Sequence, residues 1–184
     1  AGAHTSVVTG GTPEQVRQVI AQVPGRLSSL IMLRNNESAV LLYAGTNHGH
    51  ERWATPSGQT VTLRDGVVTA TRGFNFDLMS SSVEGTAKLV RRRASGNVNR
   101  IYRYLDGEDN EVDYPARCSI APQGAETVVL PTGARVSTTK MGESCVAGER
   151  QIRNTYWVAG SGEVVKSRQW VSAEVGETVI QKLR

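Results

Sequence analysis

The sequence predicts a mainly β fold: an antiparallel sandwich or partly closed barrel of about a dozen short strands, with one short N-terminal helix. Three observations carry this expectation. Turn signals recur at short intervals along most of the chain. The residues between them alternate in polarity with a period of two. The composition, with 19 glycines in 184 residues and a hydrophobic fraction of 39%, fits short strands joined by tight turns. One domain covering residues 1–184 is expected, long enough to bury a core without help from a metal.

Only one segment reads as a good helix, over residues 12–23. Thr12 offers an N-cap, Pro13 suits the first helical position, and Gln15 stands three residues after the cap. Val16, Val19, Ile20 and Val23 then share a face, and Pro24-Gly25 ends the element. Such a helix covers an edge or mouth of the sheets.

Beyond it the period is two. Arg26 to Leu33 and Ser38 to Ala44 read as strands joined by Asn35-Asn36-Glu37, apolar enough to be buried on both faces. Glu51 to Thr55, Gln59 to Leu63 and Val67 to Thr71 form a meander through Pro56-Ser57-Gly58 and Asp65-Gly66. Asp-Gly is a hairpin signal because both residues tolerate positive φ. Phe74 to Ser82 reads as a connection that tucks Phe74, Phe76 and Leu78 into the core. Gly85 to Arg93 and Val98 to Leu105 read as a pair of strands across Ala94-Ser95-Gly96-Asn97. Further strands are expected near Asp113 to Ala121, Glu126 to Leu130, Ala134 to Lys140 and Gln151 to Val158, before a closing pair. Trp53 precedes Gly58, and Trp157 precedes Gly162, by the same five residues, a weak echo of a duplicated unit.

Cys118 and Cys145 flank the hairpin expected from Glu126 to Lys140. A disulfide in an oxidising compartment is the expectation, and two buried free thiols the alternative. Closing that loop stabilises by roughly 3–4 kcal/mol in the chain-entropy picture. There is no CxxC, which disfavours redox catalysis and a zinc ribbon. No stretch approaches the ~20 apolar residues of a membrane-spanning helix. The sequence opens at Ala1 without Met, so a targeting segment is expected to have been removed or to lie upstream. A net charge of +4 and a pI near 9.3 permit an anionic partner without requiring nucleic acid.

Catalytic constellations are weak. His48 and His50 lie two apart beside Glu51, but the remaining histidine is His4, so a solvated loop is favoured over a metal site. Gly160-Ser161-Gly162 is a hairpin tip without the strand-to-helix elbow of a serine hydrolase. Cys145 with a histidine base is disfavoured by the second cysteine. Hydrolysis of a polysaccharide needs two facing carboxylates, and no pair among the 17 acids stands out. Neither a catalytic residue nor a cofactor is assigned.

The closing run, Tyr156-Trp157, a Gly turn, Val164-Val165-Lys166-Ser167-Arg168-Gln169-Trp170-Val171-Ser172, then a last apolar strand, resembles the end of the YjbF/GfcB-type lipoproteins of group 4 capsule and exopolysaccharide loci. Trp53, Ser57-Gly58-Gln59, Arg64-Asp65-Gly66-Val67-Val68 and Thr71-Arg72-Gly73 are similar to the family's central pattern. The resemblance implies a periplasm-facing outer-membrane lipoprotein without enzymatic activity. It also implies partners from its locus: an outer-membrane β-barrel protein and a second periplasmic protein. The family's lipid-bearing cysteine would lie upstream of Ala1.

Two surfaces are candidates for binding. Arg91, Arg92, Arg93, Arg100 and Arg103 sit on the expected pair of strands and their ends, with Tyr102 and Tyr104 on the face of Arg100. Guanidinium and aromatic groups together suit an anionic polysaccharide or sugar, whereas a solvated edge that blocks aggregation is the plainer role. In the last hairpin Lys166, Arg168 and Trp170 share a face, and a core role for Trp170 is favoured. The function expected is that of a non-enzymatic adaptor in capsule or exopolysaccharide secretion. The alternatives are a periplasmic polysaccharide-modifying enzyme and a sugar-binding module.

Overall fold

A computed structural model describes residues 13–184. The expected cap at Thr12 and the histidine His4 lie outside the described residues. Helix α1 (Pro13–Gln22) leads into β1 (Leu27–Met32), β2 (Glu37–Asn47), β3 (His50–Ala54), β4 (Thr60–Arg64) and β5 (Val67–Arg72). After β6 (Ser80–Ser81) comes a second helix, α2 (Glu84–Arg92), then β7 (Gly96–Leu105), β8 (Glu111–Val129), β9 (Arg135–Ala147), β10 (Arg150–Ala159), β11 (Val164–Ser172) and β12 (Gly176–Lys182).

All 12 strands belong to one antiparallel sheet in the order β5-β4-β3-β2-β1-β12-β11-β10-β9-β8-β7-β6. The sheet curls until its two ends meet, where Thr71 N–H donates to Leu78 O and the Arg72 guanidinium to the carbonyls of Leu78 and Met79. The expected choice between sandwich and barrel thus resolves to a nearly closed barrel-like sheet, a closure that leaves few free edges. Leu30, Leu41, Trp53, Val61, Leu78, Tyr102, Ile152 and Ile180 belong to its main core. Helix α1 lays Val19 and Ile20 against Leu27, Val40 and Leu183.

Gly85–Arg93 is a correction: it forms α2, not a strand. Val83, Ala87 and Val90 recur with helical spacing and are fully or almost fully buried, and Thr86 points inward with them. Arg93, in a left-handed conformation, donates its N–H to Val90 O, Ala94 N–H bonds back to Leu89 O, and the helix stops there. Gly85 lets α2 lie close on β7, since a Cβ there would come within 2.9 Å of Val98. Accordingly β7 pairs with β8 and β6. The two strands expected at 113–121 and 126–130 are one long strand, β8, with an irregularity between Pro122 and Gly124. Phe76 is a second correction. It stands 53% exposed, while Leu78 is buried and Phe74 packs against the core.

Cys118 and Cys145 face each other across β8 and β9 and form the expected disulfide. They sit in the barrel wall beside Glu143. The three make a cluster of metal-ligand type, but disulfide sulfurs have no thiolate to offer a metal.

Candidate functional site: an aromatic cleft at one end of the barrel

Antiparallel connections alternate between the two ends of a barrel, and here the two ends differ in chemistry. At one end lie the β5–β6 loop, the turns after β7 and β9, and the β11–β12 turn. They surround an open cleft of about 960 Å³ lined by Phe76, Tyr102, Tyr104, Leu105, Tyr114 and Trp170 among others. Phe76, Leu105 and Tyr114 are exposed at 53%, 46% and 51%, an unusual concentration of apolar surface for one spot. Charged groups on the lining are Asp77, Asp106, Asp109, Glu149 and Glu174 against the single cation Arg150.

The walls of this cleft are held in place from below. Asp77 accepts hydrogen bonds from Thr71 Oγ1 and from the backbone N–H groups of Gly73 and Phe74. Ser172 Oγ donates to Phe76 O, so Phe76 is presented by a tied loop. Asp106 accepts from the N–H groups of Glu108 and Asn110, and those bonds hold its pKa below the ordinary carboxylate value. Tyr104 meets Tyr114 edge to face at 5.7 Å, and its hydroxyl donates to Val171 O. Trp170 packs edge-on against Tyr102 at 5.3 Å, and the Arg150 guanidinium lies 5.4 Å from its ring. Tyr102 is only 1% exposed, and its hydroxyl has no hydrogen-bond partner among the described residues. Nearby, Asn154 donates through Nδ2 to Glu143 and accepts through Oδ1 from the backbone N–H of Trp170.

Beneath the cleft runs a buried polar network centred on Glu143. The carboxylate accepts from both Arg100 contacts at 3.1 and 3.2 Å, from Thr86 Oγ1 at 2.9 Å, from Asn154 Nδ2 at 2.9 Å and from Tyr156 OH at 2.8 Å. The Arg100 guanidinium also reaches Ser81 Oγ. Burial alone would lower the pKa of Arg100, but Tyr102 and Glu143 outweigh it and hold the pKa above its ordinary value. The network ties α2, β6, β7, β9 and β10 together. It is sealed from solvent, which makes it a structural hub.

The opposite end is closed by α2 and is cationic. Arg64, Lys88, Arg91, Arg92 and Arg93 surround a depression together with Asp65, Glu84 and the β10–β11 turn. Gly162, at φ 94°, brings that turn against α2, with Arg91 O 3.3 Å from where a Cβ would stand. Helix α1 arrives at this end too. Arg184 donates to Gly25 O and Ile20 O, and with Arg26, Arg91 and Lys182 it lines the neighbouring groove.

The candidate surfaces from sequence are therefore divided. Arg91, Arg92 and Arg93 lie on or just after α2 at the cationic end, with Arg93 reaching Ala159 O. Arg100 and Tyr102 are buried, and Arg103 lies 3.6 Å from Asp113 on the outside. In the last hairpin Lys166 sits over Trp157 at 4.9 Å, Arg168 pairs with Glu177 at 2.7 Å, and Trp170 belongs to the cleft. Sequence reasoning missed Phe76, Tyr114, Glu143 and Asn154 as members of any site. The available signal was a tyrosine, Tyr114, early in the strand that follows Tyr102 and Tyr104 across a turn; the structure sets it opposite Tyr102.

The sequence profile of the group 4 capsule polysaccharide lipoprotein family, GfcB or YjbF, matches residues 3–183. Among solved structures, the lipoprotein YmcC of Escherichia coli K12, described as hypothetical, is similar with a TM-score of 0.79. It is 17% identical over 92% of this chain and 88% of its own, which shows a shared fold. An exported protein with a YmcC-like fold from Bacteroides fragilis aligns over 86% of this chain and 93% of its own, at 14% identity and a TM-score of 0.33. A score that low carries no argument. No curated protein matches at significant similarity. With the family profile matched over nearly its whole length and the fold shared with a lipoprotein, the chain belongs to the YjbF family of group 4 capsule polysaccharide lipoproteins.

Proposed function

We propose that this chain is a non-enzymatic accessory lipoprotein of capsule or exopolysaccharide secretion, acting by docking at the periplasmic face of the outer membrane. The observation that carries the reading is the polarity of the barrel. The chain enters through α1, which is pinned beside the cationic end, and the aromatic cleft opens at the far end. A lipid tether upstream of α1 sets the cationic end toward phospholipid headgroups, where each Lys or Arg near an anionic surface contributes about 1 kcal/mol. It leaves the cleft facing the periplasm. Phe76, Leu105 and Tyr114 are then the docking face, offered to the polymer and to the proteins that export it: an outer-membrane β-barrel protein and a second periplasmic protein of the same locus.

The test is complementation of cells lacking the gene. Phe76→Ser with Tyr114→Ala is expected to lower surface polymer at unchanged protein level, and wild-type polymer would contradict docking through this face. Asp109→Asn, Glu149→Gln and Glu174→Gln together are expected to leave the linkage of the polymer unchanged, whatever its amount. A changed linkage would make the protein an enzyme.

A further inference from the structure

We infer that the aromatic cleft is a saccharide-binding site, and that it takes a stretch of polymer without acidic groups. The inference deepens the docking reading and rests on it, by naming what the cleft holds.

Three features of the cleft fit a sugar. A pyranose ring has an apolar C–H face and a rim of hydroxyls, so it is matched by an aromatic surface beside hydrogen-bonding groups. Trp170, Tyr104 and Tyr114 provide the surface, and Phe76 stands above it on its tied loop. The rim carboxylates of Glu149 and Glu174 accept hydroxyl donors, and Arg150, held near the Trp170 ring, supplies donors for a ring or carbonyl oxygen. The third feature is the hydroxyl of Tyr102. Tyr102 lines the same cleft, and its hydroxyl is buried without a partner among the described residues, whereas buried hydroxyls in folded proteins are nearly always bonded. Burial raises the pKa of this phenol above its ordinary value, so it stays protonated and can donate. A hydroxyl or acetamido oxygen arriving at the floor of the cleft satisfies it.

Charge sets the class of sugar. Carboxylates outnumber cations on the lining, so a uronate, sulfate or phosphate would meet repulsion from Asp109, Glu149 and Glu174. Neutral hexoses and N-acetylhexosamines meet none. The cations expected from sequence to hold an anionic polymer lie elsewhere, on and beside α2. A volume of about 960 Å³ has room for more than one ring, so an internal segment of a polymer fits as well as an end.

The test uses the purified full chain and isothermal titration with cellohexaose, maltohexaose, chitohexaose and hexagalacturonate, followed by backbone NMR with the tightest of them. At least one neutral or N-acetylated probe is expected to bind, with shifts confined to the cleft loops and Trp170, and hexagalacturonate to bind more weakly. Tyr102→Phe, which keeps the ring in place, is expected to weaken binding roughly three- to tenfold, the effect of one hydrogen bond. Tyr114→Ala is expected to weaken it at least as much, and Arg135→Gln, exposed on the β8–β9 hairpin, to leave it unchanged. Absence of binding to every neutral probe, preference for hexagalacturonate, or a Tyr102→Phe protein that binds like the wild type overturns the inference. If surface polymer still falls in the Phe76 and Tyr114 variant, the docking reading stands with a protein as its partner. If it does not, both fall.

Discussion

At the end of the barrel where β7 turns into β8, the lining side chains are Phe76, Tyr104, Tyr114 and Trp170, with carboxylates around them. At the end plugged by α2 they are Arg64, Lys88, Arg91, Arg92 and Arg93. The same strands serve both ends, so the difference lies in the turns and in what the turns can spare. At the aromatic end the two aspartates Asp77 and Asp106 fold the loops, which frees the large side chains to face outward. At the cationic end the apolar stripe of α2 is used up in closing the core, and only its charged face remains. A barrel built this way can be tethered at one end and bind at the other without moving either.

The buried network between the ends is where that design is most easily broken. Replacing Arg100 by Met leaves Glu143 buried without its ionic partner, and such losses cost about 3–5 kcal/mol. A loss of that size in the unfolding free energy from urea titration is expected, with both ends of the barrel affected together. Alkali acts on the same region. Burial raises the pKa values of Tyr102 and Tyr156, so the folded state keeps their protons where the unfolded chain releases them. Their contribution is intact below the ordinary phenol value of 10.0 and is lost as pH climbs above it. The expected loss is about 1.4 kcal/mol per pH unit for each phenol, read from denaturation curves at successive pH values.

Reduction of the Cys118–Cys145 bridge, with a sequence separation of 27, is expected to cost about 2–4 kcal/mol. Thermal unfolding with and without reductant measures it. Charge reversal of Lys88, Arg91 and Arg92 should weaken binding to vesicles containing phosphatidylglycerol by about 1 kcal/mol per charge removed, and salt should have the same effect. Tyr114→Ala, on the exposed rim, is expected to change stability by less than about 0.5 kcal/mol while weakening saccharide binding at least as much as Tyr102→Phe does. A variant of the cationic end that abolished sugar binding, or one of the aromatic end that abolished vesicle binding, would erase the distinction between them.

Most of the strands were legible because period two and Gly turns persist from Arg26 to the C-terminus. The two faces of the last hairpin followed from alternation alone, but which one is buried did not: Val165, Ser167, Gln169 and Val171 are buried, and Trp170 on the other face is half-buried. Helix α2 was hidden by its shortness. Over Lys88-Leu89-Val90-Arg91 a helical stripe and an alternating strand look alike, and the flanking Gly85 reads as a strand bend when it serves a close helix–strand contact. The cleft was hidden for another reason. Its members come from the ends of strands β7, β8 and β11 and from the β5–β6 loop, brought together only by the curl of the sheet, and Phe76 looks like core until its loop is seen tied outward by Ser172. Arg100 was legible as a cation, but its partner Glu143 was one acid among 17.

The most direct test of the division between the ends is hydrogen–deuterium exchange of the full chain with and without the polysaccharide secreted by its source organism. Protection is expected in the loops at residues 73–79, 106–115 and 148–150 and around Trp170, with the backbone of α2 and the β10–β11 turn unchanged. Protection centred on α2, with the cleft loops exchanging as before, would contradict it.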